Sequence, residues 1–140
     1  RVGGSLARGS AAGAGRVAVS LPGGLCFLRE PNVPPGQAVR DAQVPIAIAT
    51  DHNPGSSPTL SPLVMINMAC TLFRLTPEEA LRGMTVHGAR ALGLRDRGTL
   101  QSGQRADFVV WNLDEPNEMA YLFGHHPRAS VIAGGQECAL

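Results

Sequence analysis

The chain has 140 residues, a formal net charge of +1 and 44% hydrophobic residues, enough for one modest domain with a core of its own. Its twelve basic residues are all arginine, scattered and not interleaved with aromatics, which argues against a nucleic-acid surface. No run reaches the roughly 18 apolar residues of a membrane span, and three well-separated cysteines, Cys26, Cys70 and Cys138, with no CxxC pair argue against a disulfide framework and fit a reducing cytoplasm.

The segment 1–15 is small and rich in Gly, Ala and Ser. It reads as a flexible leader and lacks the apolar h-region of a signal peptide. The chain does not begin with Met, and with its modest length this points to a piece of a longer protein. From Arg16 the texture changes. Val17–Leu21 is a short strand stopped by Pro22-Gly23-Gly24, and Leu25–Glu30 leads into Pro31, Pro34 and Pro35, which break the chain. Gly36–Ala42 is expected as a short helix and Val44–Thr50 as the next strand. The order strand, crossover, strand makes a βαβ unit and hence a parallel pair.

Leu60–Phe73 is apolar on nearly all sides and, as a helix, would be largely buried. The helix after it is well punctuated: Thr76 as N-cap, Pro77 at the first position, Glu79 completing a capping box and Gly93 as a left-handed terminator. Past Gly93 the period shortens. Gly98–Leu100 and Ala106–Trp111 are strand-like around a Gln101–Gln104 turn, Asp114–Asn117 is a loop, Glu118–Phe123 a helical turn and Ser130–Ala133 a last strand before Gly134-Gly135. An α/β portion is therefore followed, from about Arg97, by a small antiparallel β portion.

The chemistry concentrates in Val44–Ser57, VPIAIATDHNPGSS. A near-continuous apolar run is the mark of a strand buried on both faces, and in parallel sheets covered by helices the chemistry sits at the carboxyl ends of strands. Asp51 falls at that end. Two readings stand: the carboxylate binds a metal ion and handles a proton, or it closes the following loop through an Asx turn. Asn53, Gly55 and Ser56 are turn formers that can equally offer an amide, an N–H and a hydroxyl to a carboxylate ligand. His52, His87, His125 and His126 are weak ligand candidates, since no H-x-H and no H-E-x-x-H occurs. The chain thus supplies one credible metal ligand and not the three that a hydrolytic site usually needs. Arg29 and Glu30 read as a solvated pair or a rim ion pair.

Several motifs coincide: Leu21-Pro-Gly-Gly24, Phe27-Leu-Arg-Glu30, Ala49-Thr-Asp-His-Asn-Pro-Gly-Ser-Ser-Pro58, the stretch from Asn67 to Ala80, Ala89-Arg-Ala-Leu-Gly93, and Gly98-Thr-Leu with Gly103-Gln-Arg-Ala-Asp-Phe108. Together, over about Arg16 to Gly135, they closely resemble the carboxyl-terminal part of the imidazolonepropionase family of the amidohydrolase superfamily. The last motif marks the superfamily only; the Asp51 loop and the Asn67–Ala80 stretch are far more specific. The resemblance implies an α/β chain that is the C-terminal part of a metal-dependent (β/α)₈ TIM barrel, about strands seven and eight with the following helices over 16–96, plus part of a small β-sandwich over 97–140.

It further implies hydrolysis of the ring amide of 4-imidazolone-5-propanoate to N-formimino-L-glutamate, in histidine breakdown in the cytoplasm. Asp51 would hold one Zn or Fe ion, accept a proton from the attacking water and return it to the leaving nitrogen. Asn53 and Gly55 would hold the product, and Ser56 the substrate. The partner would be a small molecule, not a nucleic acid or a membrane, with a homodimer open to the full-length protein. The family's H-x-H, its later metal-binding histidine and the arginine and tyrosine that grip substrate would lie upstream, so these 140 residues alone are expected to be inactive. The alternatives are another cyclic-amide amidohydrolase, or a non-catalytic remnant serving as an assembly module.

Overall fold

The computed structural model describes residues 15–33 and 36–139. The leader expected over 1–15 lies, save Gly15, outside the described residues, as do Pro34 and Pro35. Strands β1 (Ala18–Ser20) and β2 (Ile46–Ile48) pair in parallel, with Ala18 opposite Ile46 and Ser20 opposite Ile48. The pairing is extended by the Ala18 N–H on the Pro45 carbonyl at 2.9 Å and the Ala49 N–H on the Ser20 carbonyl at 3.1 Å. Ala47 and Ile48 are both buried. Since neighbouring strand residues point to opposite faces, β2 is covered on both sides, as its unbroken apolar run predicts.

Between the two strands the chain forms two short helices, α1 (Pro22–Phe27) and α2 (Gly36–Asp41). Pro22-Gly23-Gly24, expected from the sequence as a strand stop, also opens α1, with Pro22 in the first turn where its missing N–H costs nothing. Helix α1 ends with Arg29 at φ 53° and α2 with Gln43 at φ 51°. Both ends close the same way. The left-handed residue donates to the carbonyl three back, and the following N–H reaches five back: Glu30 to Leu25 at 3.0 Å, Val44 to Val39 at 3.2 Å. These are Schellman closures made without glycine.

Helix α3 (Pro62–Phe73) is capped by Ser61, whose Oγ accepts from the Val64 N–H at 3.3 Å. Its buried face carries Leu63, Met65, Ile66, Ala69 and Phe73, which with Ile48, Leu75, Ala80 and Ala120 form the core. The capping box at α4 (Pro77–Met84) is formed in full: Thr76 Oγ1 accepts from the Glu79 N–H at 3.2 Å and Glu79 Oε2 from the Thr76 N–H at 2.8 Å. The single helix expected to run on to Gly93 is broken at Thr85 (φ −115°, ψ −96°), and α5 (Val86–Ala91) follows. The Thr85 hydroxyl donates back to the Leu81 carbonyl at 2.8 Å, a local bond that competes with regular helix. Gly93, at φ 73°, ends α5 as expected.

Gly98–Leu100 is not a strand. Gly98 has φ 96° and packs where a Cβ would meet Ala89, Val86 and the Thr85 carbonyl at 3.0–3.1 Å, so the residue turns the chain. Strands β3 (Phe108–Trp111), β4 (Arg128–Ala133) and β5 (Gln136–Glu137) make the antiparallel sheet. Strand β5 is not among the elements expected from the sequence. Its signal was Gly134-Gly135, both at positive φ (59° and 80°), the demand of a two-residue type I′ hairpin. The helical turn α6 (Glu118–Tyr121) packs Ala120 into the core. Asn67 of α3 donates from Nδ2 to the Ala120 carbonyl at 2.7 Å, tying the two portions together.

Candidate active site

The loop Asp51–Ser57 leaves the carboxyl end of β2 and runs to α3. Its closure is internal. Asn53 and Ser57 form an antiparallel bridge, with the Asn53 N–H on the Ser57 carbonyl at 3.1 Å and the Ser57 N–H on the Asn53 carbonyl at 3.3 Å. Asn53 Oδ1 accepts from the N–H of Gly55 at 2.9 Å and of Ser56 at 2.8 Å, an Asx turn built on Asn53 rather than on Asp51. Asn53 Nδ2 donates to the Asp51 carbonyl at 2.7 Å and to Ser56 Oγ at 3.0 Å. The three residues expected to meet a carboxylate ligand, Asn53, Gly55 and Ser56, are therefore brought into one turn and share one hydrogen-bonded centre.

Asp51 behaves differently. Its carboxylate makes no hydrogen bond or ion pair among the described residues, and the residue is exposed at φ 49°. The left-handed region costs an L-residue about 1–2 kcal/mol, less for Asp than for most. A non-glycine residue held there at a strand end, with its charge not spent on the loop, is an outlier of the kind that clusters at functional sites. The carboxylate faces α1: a Cβ placed on Gly24 would stand 3.9 Å from Asp51 Oδ2 and 3.9 Å from the Ser56 carbonyl. The Leu21–Gly24 motif and the Asp51 loop are thus neighbours in space.

The histidines do not join them. His87, half-buried in α5, donates from Nδ1 to the Ile46 carbonyl at 3.1 Å, at the entry of β2 rather than its exit. His52, His125 and His126 are exposed. Among the described residues no group of three or more His, Cys, Asp or Glu could hold a metal ion. Asp51, exposed and without a hydrogen bond or ion pair among the described residues, is a carboxylate free to take one position on a divalent cation, and the described residues supply no complete ligand set around it. An apolar cavity of about 160 Å³ lies between α1 and α3, lined among others by Phe27, Pro58 and Met68, and includes none of the four candidate residues. Arg29 and Glu30 are both exposed. The three cysteines are free.

Comparison with known proteins gives a consistent answer. The profile of the Amidohydrolase family matches residues 28–138. The chain is 58% identical over 124 residues to the imidazolonepropionase of Cupriavidus necator, covering 88% of this chain and 30% of that protein. It is 58% identical over 126 residues to that of Cupriavidus pinatubonensis, 89% of this chain and 30% of the relative. The chain therefore spans about 30% of the length of the curated relatives it matches. In fold it is similar to a variant of atrazine chlorohydrolase from Arthrobacter aurescens, crystallised with zinc and atraton. The TM-score is 0.80 at 22% identity, over 90% of this chain and 32% of that one.

Proposed function

Because the chain belongs to the Amidohydrolase family, we propose that it is the carboxyl-terminal portion of an imidazolonepropionase, hydrolysing the ring amide of 4-imidazolone-5-propanoate to N-formimino-L-glutamate. The observation that carries this is the 58% identity to imidazolonepropionases over 124 residues, a span that takes in the whole Asp51–Ser57 loop. In this reading 16–96 is the end of the (β/α)₈ barrel, with β1 and β2 as about its seventh and eighth strands, and 97–140 is part of a β-sandwich. Two three-residue parallel strands are marginal by themselves. Large apolar side chains stand exposed along β1 and α1, Val19 at 56%, Phe27 at 56% and Leu28 at 60%, as surfaces do when other strands and helices normally cover them.

A zinc or iron ion held by Asp51 and by ligands from the rest of the protein would polarise the ring carbonyl and acidify the attacking water. The chain's own residues supply the proton handling and the grip on substrate. The Asp51 carboxylate takes the proton of the attacking water at one oxygen and delivers it to the ring nitrogen as the C–N bond breaks, base then acid at the same atom. The Asn53 amide, the Gly55 N–H and the Ser56 hydroxyl lie within one turn, but the Gly55 N–H and both Asn53 Nδ2 hydrogens are taken by bonds inside the loop, so the propanoate would be held there by displacing some of those bonds with charge-assisted ones of its own. The internal bonds gather these groups at one point of the loop before substrate arrives.

The test is turnover of imidazolonepropanoate by the full-length protein and by its Asp51→Asn variant. Metal-dependent activity that the variant loses supports the reading. Normal activity and metal content in the variant would refute it. The 140-residue chain alone, supplied with Zn²⁺, is expected to show no turnover.

A further inference from the structure

The loop after β2 contains one side chain that the proposed chemistry does not use. Ser57 is the single buried polar residue among the described residues, at 0% exposure. Its Oγ donates to the Thr50 carbonyl at 2.5 Å, reaching back across the loop to the residue immediately before Asp51. Its backbone is held as well, since both its N–H and its carbonyl are bonded to Asn53. The pocket around the hydroxyl is closed by α1: a Cβ on Gly23 would collide with Ser57 Oγ and lie 3.3 Å from Met65 Cε. Only glycine at that position leaves the hydroxyl where it is.

We propose that Ser57 is a positioning residue for Asp51: its hydroxyl clamps the Thr50 carbonyl and so fixes the strand-end peptide from which the left-handed Asp51 projects, with Gly23 as the small partner that admits the clamp. This rests on the reading of Asp51 as metal ligand and proton carrier. The left-handed backbone of Asp51, at φ 49°, is a conformation an L-residue adopts only when its surroundings hold it there. A segment released from the clamp regains the extended region, and the carboxylate then swings away from the cation. Groups that orient a ligand without touching the metal typically contribute about 10–100-fold in affinity or activity.

The experiment uses the full-length protein in five forms: unaltered, Ser57→Ala, Gly23→Ala, Asp51→Asn and Phe73→Leu. Phe73 is a core residue at the far end of α3, and its variant supplies a control that lowers stability alone. Zn²⁺ affinity is measured by chelator competition, with kcat, KM and melting temperature beside it. Ser57→Ala is expected to weaken Zn²⁺ binding and lower kcat, each by about tenfold or more, with KM moved less than about twofold. Gly23→Ala displaces the same hydroxyl from the other side and should reproduce both losses, so the comparison survives even if Ser57→Ala does not accumulate as folded protein. Phe73→Leu should lose melting temperature and keep metal and kcat. If the Ser57 and Gly23 variants bind Zn²⁺ and turn over as the Phe73 variant does, while Asp51→Asn is dead, the clamp is wrong and the site reading stands. If Asp51→Asn itself keeps metal and activity, both fall together.

Discussion

Arg40 and Glu79, from α2 and α4, meet in a bidentate pair, Nε to Oε1 at 2.7 Å and Nη2 to Oε2 at 2.8 Å. Arg40 Nη2 also donates to the Arg74 carbonyl at 2.6 Å, the left-handed residue that ends α3. Glu79 at the same time closes the capping box of α4. The Arg40 guanidinium thus ties α2 to the end of α3 and to α4, and the Glu79 carboxylate links it to the cap of α4. The neighbours of Glu79 lower its pKa to about 2, first through the Arg40 hydrogen bond, with the Thr76 backbone N–H adding to it against a burial penalty.

The sign of the pH dependence follows. The carboxyl group titrates lower in the folded state than its ordinary value of 4.5, so its contribution is full above that value and is lost as pH falls from about 4.5 toward 2. With Glu79 about a third exposed, solvent screening trims the contribution to about 1–2 kcal/mol. Urea titrations of the protein at pH 7, 4 and 2.5 should show this loss. In Glu79→Gln the loss between pH 4.5 and 2 should shrink by that amount, and an unchanged slope would show that the pair contributes nothing.

The helix ends make an opposed pair of predictions. Gln43 holds a Schellman position at φ 51°, and Gly93 holds the same position at φ 73° with nothing within 4 Å of its absent Cβ. Gly93→Ala therefore meets only the conformational cost and should lose about 1 kcal/mol. Gln43→Gly removes that cost and repays part of it in unfolded-chain entropy, for a net gain of about 0.5 kcal/mol. Thermal melts of the two variants should move in opposite directions.

Much of this fold was legible because its signals are local. Thr76, Pro77 and Glu79 are a capping box in any context, and the apolar run before Asp51 reads as a doubly covered strand without knowledge of its neighbours. What escaped depended on contacts or on weak punctuation. The break at Thr85 is bound up with a hydroxyl that bonds backward and with Gly98 arriving from thirteen residues on, and no periodicity shows it. The role of Asn53 as the turn's centre was in the sequence, yet its composition did not say whether Asp51 or Asn53 would close the loop. Ser57 is invisible as a clamp until Thr50 and Gly23 are seen on either side of it.

The Gly103–Phe108 motif has a structural purpose in Asp107. Its Oδ1 accepts from the Gly134 N–H at 2.6 Å and from Arg105 Nε at 2.8 Å, and the Arg105 bond followed by the Gly134 N–H holds its carboxyl below the usual aspartate range. The carboxylate pins the Gly134-Gly135 hairpin to the start of β3. Asp107→Ala should speed amide exchange in β4 and β5, read by deuterium uptake, and leave α3 and α4 unchanged. Equal protection of Gly135 and Cys138, whose N–H groups bond the Ala106 and Val131 carbonyls, before and after the change would disprove the pin.

Helix α4 sits close on β2 because Gly83 has no side chain. A Cβ there would lie 2.9 Å from both Cγ1 and Cδ1 of Ile48 and 3.0 Å from the Ile46 carbonyl. Ile48 can turn a rotamer, but the carbonyl belongs to the strand and also accepts from His87, so it cannot retreat without loosening α5. Alanine would favour the helix by about 1 kcal/mol at an exposed position, whereas overpacking a close backbone contact costs about 1–3 kcal/mol. The clash should win: Gly83→Ala is expected to lower stability by about 1 kcal/mol, while Gly88→Ala, whose Cβ would meet one carbonyl at 3.2 Å, should lose less. Since β2 carries Thr50 and Asp51 at its exit, a strand pushed by Gly83→Ala should also bind Zn²⁺ more weakly in the full-length protein, and chelator competition on that variant measures how rigidly the strand transmits the push.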